Sequence, residues 1–493
     1  MALLAPWPLA DPSSRAWPLA LLVALPFVQP LAPGPVSNTV PLLLAWACAG
    51  GLLLAWMRVR PGHIAAGWAL AAVIASLIGL VQFFGFAEAL APWVHVPAWL
   101  GDAVGNLRQR NQQATLLGMG LLALAWWQRQ GASWRWLVPA LALVAVGLAA
   151  TGSRTGLLQG VLFLLLVLWW GRDDWRDASA RVQLLVLLGV PLLSYLLASW
   201  ALPLGLERLH GLQVSTALAR MSGAEGCGGR AVLWANVLHL IAQQPWTGWG
   251  WDELRYAHYI TRYPGLRFCD ILGHAHNLPL HLAFVWGVPA TIALSLGGLA
   301  LLWRARPWRS AQGDAQLAWG VLAMIGLHSL LEFPLWYGPF QVAVLLSLWL
   351  MGAQVWLAAR LPRLLPLAGG ALLLGAALVA WDYLRVRQAY LPAPARMAWW
   401  RAEPMAAARS SWWFGRTAAF AEVTTTPVRV DNAPWLLEES LALLHHSPEP
   451  RVLTVLIRSA ELSGETALAD WHRQQFRHVY PQAFERSPWG PVR

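Results

Sequence analysis

The sequence predicts an all-α polytopic membrane protein of about eleven transmembrane helices, with a long outer loop and a helical C-terminal domain on the same outer side. Three observations carry this prediction. The 493 residues are 57% hydrophobic and only 12% charged, whereas soluble domains carry about 25% charged residues. The apolar residues gather in runs near the ~20 residues that cross a hydrocarbon core with every backbone hydrogen bond made inside the helix. Thirty-four Trp suit aromatic rings anchored at two membrane interfaces. A disordered chain, a collagen-like fibre and an ordinary water-soluble enzyme are excluded.

The runs fall at 16–33, 40–57, 64–84, 113–128, 136–152, 155–170 and 182–201, then at 278–303, 315–332, 338–359 and 364–383. The first lacks a small-residue cleavage site and reads as a retained helix rather than a signal peptide. Segment 1–201 is thus an N-terminal membrane region of about seven spans. Within it 85–112, with Trp93 and Trp99 among prolines, reads as a re-entrant or interfacial stretch. Segment 202–277 is a large loop, and 278–383 a second membrane region of about four spans. Segment 384–493 is an appended domain, with amphipathic helices expected near 393–410, 434–446, 449–460 and 464–479.

Every basic residue is Arg, and the formal net charge is +11. With the N-terminus and Arg15 in the cytoplasm, twelve Arg fall in five short inner loops, from Arg58 and Arg60 through to Arg360 and Arg363. The short outer loops near 34–39 and 333–337 hold none, the asymmetry that sets membrane orientation. An odd number of spans then puts 384–493 outside. Cys227 and Cys269 share the large outer loop, in a compartment where a disulfide can form; two buried, reduced thiols are the alternative. Cys48 lies within a span and reads as packing.

The chemistry is bounded first by absences. A chain without Lys has no P-loop, so ATP hydrolysis is not expected. No Asp-x-Asp pair or carboxylate cluster suits a divalent metal, so no metal or other cofactor is expected, and no pattern points to nucleic acid. What remains is a set of cations and imidazoles on the outer side. Arg154 sits in the tight turn Gly152-Ser153-Arg154-Thr155-Gly156, against the charge asymmetry. A surface Arg solvated by lipid phosphates is the alternative reading. Arg230 follows Gly228-Gly229, flexible residues suited to close approach of an anion, though a plain surface helix start fits as well. His274-Ala275-His276-Asn277 precedes an apolar run, and a His there can serve as a general base. Interfacial His that only bind headgroups are the competing reading. Glu332-Phe333-Pro334-Leu335-Trp336-Tyr337 forms a short outer turn in which Glu332 could orient an imidazole, with His328 one helical turn earlier, or bind a sugar hydroxyl.

In order, these elements resemble the O-antigen ligase/polymerase superfamily: a Ser-Arg turn, an outer loop with Gly-Arg…Trp and Gln-Gln-Pro-Trp-Thr-Gly-Trp-Gly (243–250), then His-Asn opening a helix. The Arg110-Asn111-Gln112 segment, the Glu332–Tyr337 turn and the outer C-terminal domain resemble most the pilin-type bacterial protein O-oligosaccharyltransferases. The resemblance implies transfer of a preassembled glycan from undecaprenyl diphosphate to Ser or Thr hydroxyls of exported, pilin-like proteins. It also implies a metal-independent, inverting reaction at the periplasmic face of a bacterial inner membrane. Arg154 and Arg230 would hold the diphosphate and His276 would take the acceptor proton. His274, Asn277, Glu332, Tyr337, Arg110 and Asn111 would support them or line the acceptor site. Donor glycan, protein acceptor and membrane lipids are then the partners. The alternatives are ligation of O-antigen to a lipid A core, repeat-unit polymerisation, or, from another class, transport of a lipid-linked glycan. Transport is disfavoured because the spans mostly lack charge and no inverted repeat is seen.

Overall fold

A computed structural model describes residues 17–31, 34–214, 216–218 and 226–490; Arg15, on which the cytoplasmic N-terminus was argued, lies outside them. Among the described residues the regular structure is helical throughout. Every apolar run forms helix, but not every helix is of bilayer length. By length and composition four can cross a membrane: Pro61–Phe83, Ala178–His210, Val288–Arg309 and Leu364–Tyr390. Trp17–Val28, Thr39–Leu54, Trp134–Ala150, Arg154–Trp170 and Gly338–Ala353 are apolar but shorter. At 1.5 Å per residue the 12 residues of Trp17–Val28 reach about 18 Å, short of the ~30 Å core.

The chain divides into two compact units. The first comprises 1–33, 37–223 and 302–377, and the second 34–36, 224–301 and 378–493.

The first unit is built around Pro61–Phe83. Pro61 opens it at a position whose N–H has no helical partner to lose. Its buried face is rich in alanine, with Ala65, Ala72 and Ala75 beside Trp68, so neighbouring helices approach closely and gain dispersion contact in a setting without a hydrophobic drive. The 85–109 connection is fastened by two amides. Gln82 donates to the His95 and Gly105 carbonyls and accepts from the Val104 and Gly105 N–H groups. Asn106 accepts from the His95 N–H and donates to the Val28 and Trp93 carbonyls. Trp93 and Trp99 project from this connection 73% and 75% exposed.

In the second unit the apolar run expected as one span at 278–303 is broken. Leu278–Trp286 and Val288–Ala305 are separate helices meeting at Gly287. Gly287 has φ +83, and the carbonyl oxygen of Trp246 lies 2.2 Å from where a Cβ would be. The Val288 N–H donates to the Pro245 carbonyl instead of continuing the helix. The bilayer-length element therefore starts at Val288, and Leu278–Trp286 belongs to the fold of the loop.

The C-terminal helices and the loop share one hydrophobic core. Pro450–Leu462 turns Leu453, Leu456, Ile457 and Ala460 inward, the period of an amphipathic helix, against Ala469 and Phe476 of Thr466–Val479. Tyr259, from the loop helix Leu254–Ile260, is buried in the same core. One expectation fails here. Segment 393–410 is not a continuous helix but two 3₁₀ turns and the short helix Pro404–Arg409, because Pro392, Pro394 and Pro404 each remove a helical donor. The helix Gly415–Thr425, with Ala418, Ala421 and Val423 inward, was not foreseen.

Candidate active site

The site residues proposed from sequence fall into two groups, one in each unit. In the first unit three helix termini are tied by one polar network. Asn111, second residue of Arg110–Arg129, donates through Nδ2 to Glu332 Oε1 at 3.0 Å. Its Oδ1 accepts from Ser153 Oγ at 2.6 Å. Ser153 in turn caps the helix Arg154–Trp170, accepting the Gly156 N–H at 2.9 Å. Arg154 is thus the first residue of a capped helix, half-buried, with its backbone fixed by the network. The His328 Nδ1 lies 2.8 Å from Thr115 Oγ1, and Gln159 Nε2 donates to the same hydroxyl at 2.8 Å. The adjoining Arg110 is paired with Asp102 at 2.7 Å. Burial first, with Glu332 adding to it, holds the Tyr337 phenol above its ordinary value, while hydrogen bonds with Gln112 and Asn38 work against the shift. Tyr337 therefore stays a neutral hydroxyl beside the carboxylate.

In the second unit Arg230 opens the helix Arg230–Gln243, and a disulfide joins Cys227 to Cys269 with Cα atoms 5.4 Å apart. One turn along, Trp234 Nε1 donates to the Ala275 carbonyl at 3.1 Å, fastening this helix to the His274-Ala275-His276 segment. Leu233, Val237, Leu272 and Ala275 pack in one cluster beneath them. His276 has φ +49, uncommon for a residue with a Cβ. The next residue, Asn277, caps the helix Leu278–Trp286 by accepting the Leu280 N–H at 3.0 Å. His276 is half-buried. His274 is pushed down to about 3, by burial first and then by His281, Arg255 and His276, so it is a neutral imidazole at any working pH. Its ring lies 5.1 Å from that of His281.

The Gly-Trp-Gly end of 243–250 has a backbone reason. Gly248 sits at φ +71 with the Val285 carbonyl carbon 2.5 Å from where a Cβ would be. The Trp249 and Gly250 N–H groups donate to the Phe284 and Val285 carbonyls, strapping this segment onto the helix that Asn277 opens. Of the loop arginines, Arg267 is spent on structure. It donates to the Thr261 and His258 carbonyls and stacks on Tyr263. Arg255 pairs with Asp252 at 2.7 Å and lies against Gly273. Among the described residues no group of three or more His, Cys, Asp or Glu converges on one point.

Three families match consecutive parts of the chain. Residues 103–127 match one described as protein glycosylation ligase, 139–295 one described as O-antigen ligase, and 316–489 the C-terminal part of a virulence factor membrane-bound polymerase. A general O-oligosaccharyltransferase of Acinetobacter baylyi is 27% identical over 299 residues. These matches make the chain similar to the O-antigen ligase superfamily. Within it the chain is most like the protein O-oligosaccharyltransferases. The alignment takes in 57% of the chain and 49% of the A. baylyi protein, so the chain spans about half the length of that curated relative.

The polar network crosses all three matched segments. Arg110 and Asn111 come from the first, Ser153 and Arg154 from the second, Glu332 and Tyr337 from the third. Ser153, Thr115, Gln159 and His281 were not singled out by sequence reasoning. Ser153 was visible, as a Ser directly before a helical run is a capping signal. Thr115 and Gln159 lie inside apolar helices, where only their mutual contact gives them meaning.

Proposed function

We propose that this protein transfers a preassembled glycan from undecaprenyl diphosphate to Ser or Thr hydroxyls of exported, pilin-like proteins at the outer face of a bacterial inner membrane. The observation that carries the reading is the second-unit arrangement, in which Trp234 binds the helix opened by Arg230 to the strained His276-Asn277 turn. Left-handed backbone at a non-glycine residue costs about 1–3 kcal/mol and is retained where surrounding structure, here the Asn277 cap, over-determines it.

The acceptor oxygen attacks the anomeric carbon as the bond from that carbon to the diphosphate oxygen breaks, inverting the centre. The hydroxyl proton passes to the His276 imidazole, a transfer worth roughly 10²–10⁴ in rate. The electron pair leaves with the lipid diphosphate, and Arg230, on the helix fastened to the His276 turn, opposes the growing charge with a planar, permanently ionised fork. The diphosphate is already a good leaving group, so neither nucleotide nor metal is required. Glu332 and Tyr337 offer an acceptor and a neutral hydroxyl to the incoming sugar or side chain.

The match to an O-antigen ligase over 139–295 favours one second reading, in which the acceptor is a lipid A core. Purified protein in liposomes, given lipid-diphosphate glycan with either an exported-protein acceptor or lipid A core, separates the two. Transfer to protein that His276→Ala abolishes, while membrane insertion and donor binding persist, is the expected result. Normal turnover by that variant overturns the general-base role, and transfer to lipid A alone overturns the protein acceptor.

A further inference from the structure

The first unit contains a cavity of about 530 Å³ that the proposed reaction does not use. It lies where the helix Arg110–Arg129 ends and Trp134–Ala150 begins, against the first turns of Ala178–His210. The Arg distribution assigns this end to the inner side. Its lining is divided by chemistry. Arg129, Arg135, Ser133 and Gln183 present donors at the mouth, and Leu184 and Leu187, only 2% and 3% exposed, form an apolar floor.

The donors are incompletely used. Ser133 is the N-cap of Trp134–Ala150, yet its hydroxyl makes no capping bond, so that helix start opens on the cavity with positive partial charge. Arg129 reaches Asp174, the one carboxylate in the lining, through a single 3.4 Å contact between half-exposed groups. Among the described residues Arg135 has no carboxylate partner. Gln183 Oε1 accepts from Gln128, which leaves its own amide N–H₂ to face the space.

We propose that this cavity binds the phosphodiester headgroup of an anionic membrane lipid. Two guanidinium groups and a helix N-terminus outweigh one carboxylate, and planar N–H forks match phosphate oxygens. The volume is that of a site holding a headgroup. The apolar floor and the bilayer-length helix Ala178–His210 select a lipid over a soluble phosphate, because they continue the site toward acyl chains. Basic pockets between membrane helices on the inner side have this lipid preference in general. The occupant lies at the other end of the first unit from Arg154 and would brace the Arg110–Arg129 and Trp134–Ala150 junction.

The test is native mass spectrometry of the full chain released from nanodiscs that contain equal phosphatidylglycerol and phosphatidylcholine. Wild type is expected to retain phosphatidylglycerol preferentially, and R129Q/R135Q to bind it about thirty-fold more weakly, about fivefold per arginine. Asp174→Asn is expected to bind it at least as tightly as wild type, because it removes the opposing charge. Should the double variant not fold, Ala180→Trp, which fills the cavity and keeps both arginines, decides and is expected to lose the lipid. Equal retention of both lipids by wild type, undiminished binding in R129Q/R135Q or Ala180→Trp, or displacement of the lipid by millimolar inorganic phosphate each overturns the proposal.

Discussion

Asn111 is the joint on which the first-unit network can be tested. Asn111→Ala removes two hydrogen bonds at once, one to a neutral hydroxyl at 2.6 Å and one to a carboxylate at 3.0 Å. A neutral bond is worth about 1 kcal/mol net and a bond to a charged group about 1.5–3 kcal/mol, so the loss should be about 2.5–4 kcal/mol. The decisive measurement is a pair of double-mutant cycles, Asn111→Ala with Ser153→Ala and Asn111→Ala with Glu332→Ala, read by unfolding in detergent. Coupling should be about 1 kcal/mol in the first cycle and about 2 kcal/mol in the second. Ser153→Ala alone should cost about 1 kcal/mol more than its bond to Asn111, because it also uncaps Arg154–Trp170. Additivity within about 0.3–0.5 kcal/mol in both cycles, the behaviour of independent sites, would refute the network.

The second unit yields three further predictions. Gly248→Ala forces a Cβ to within 2.5 Å of the Val285 backbone at φ +71, so it should cost more than about 2 kcal/mol by thermal unfolding. Gly265→Ala, with nothing within 4 Å, should stay within about 0.5 kcal/mol. Replacing Cys227 and Cys269 by Ser opens a loop of 42 residues' separation; chain entropy sets the loss at up to about 4 kcal/mol, which reductant should reproduce in wild type and leave unchanged in the variant. Burial first, aided by nearby cations, pushes His258 and His274 down to about 3. In both the unfolded chain binds the proton more tightly. Their contribution is therefore constant above about pH 6.5 and falls as pH drops from there toward 3, by at most about 2.7 kcal/mol per pH unit for the two together. His281 and His472, pushed down to about 4 chiefly by burial, add to the same slope, so denaturant midpoints across pH should fall at least that steeply and His258→Gln should remove at most about 1.4 kcal/mol per pH unit of it.

The helices were legible because a membrane helix must satisfy its backbone within itself, which forces long apolar runs into sequence. The exception at Gly287 shows the limit. The run 278–303 reads as one span since every residue in it but His281 is apolar or small, but a backbone strap from 245–250 breaks it, and straps leave no hydropathy signal. Arg154, Arg230, His276 and Asn277 were visible by residue type beside turn signals. Their supports were not. The Asn111–Ser153–Glu332 relay joins residues up to 221 positions apart, and no local pattern announces such a contact. Arg267 carries no sequence signal of burial, since Arg is usually exposed; its place among carbonyls is fixed only once those carbonyls are placed.

The same long-range contacts change what the C-terminal domain can be. Read as an appendage, 384–493 would be a detachable acceptor platform, and removing it would distinguish a protein acceptor from a lipid one. Its core, however, takes in Tyr259 from the loop, 1% exposed, with its hydroxyl 2.9 Å from His472 Nδ1. One turn earlier Tyr256 stacks on His445 at 3.9 Å, and Glu253 holds the same imidazole at 2.6 Å. Stripping the partners of a buried aromatic costs about 3–5 kcal/mol, and the helix that would bear this cost follows directly on the Gly248–Gly250 strap against the Asn277 helix. Truncation would then disturb the His276 turn whatever the acceptor, so loss of transfer to both acceptors would say nothing about which is native. Acceptor choice has to be read from surface substitutions on the C-terminal helices that leave Tyr256, Tyr259, His445 and His472 in place.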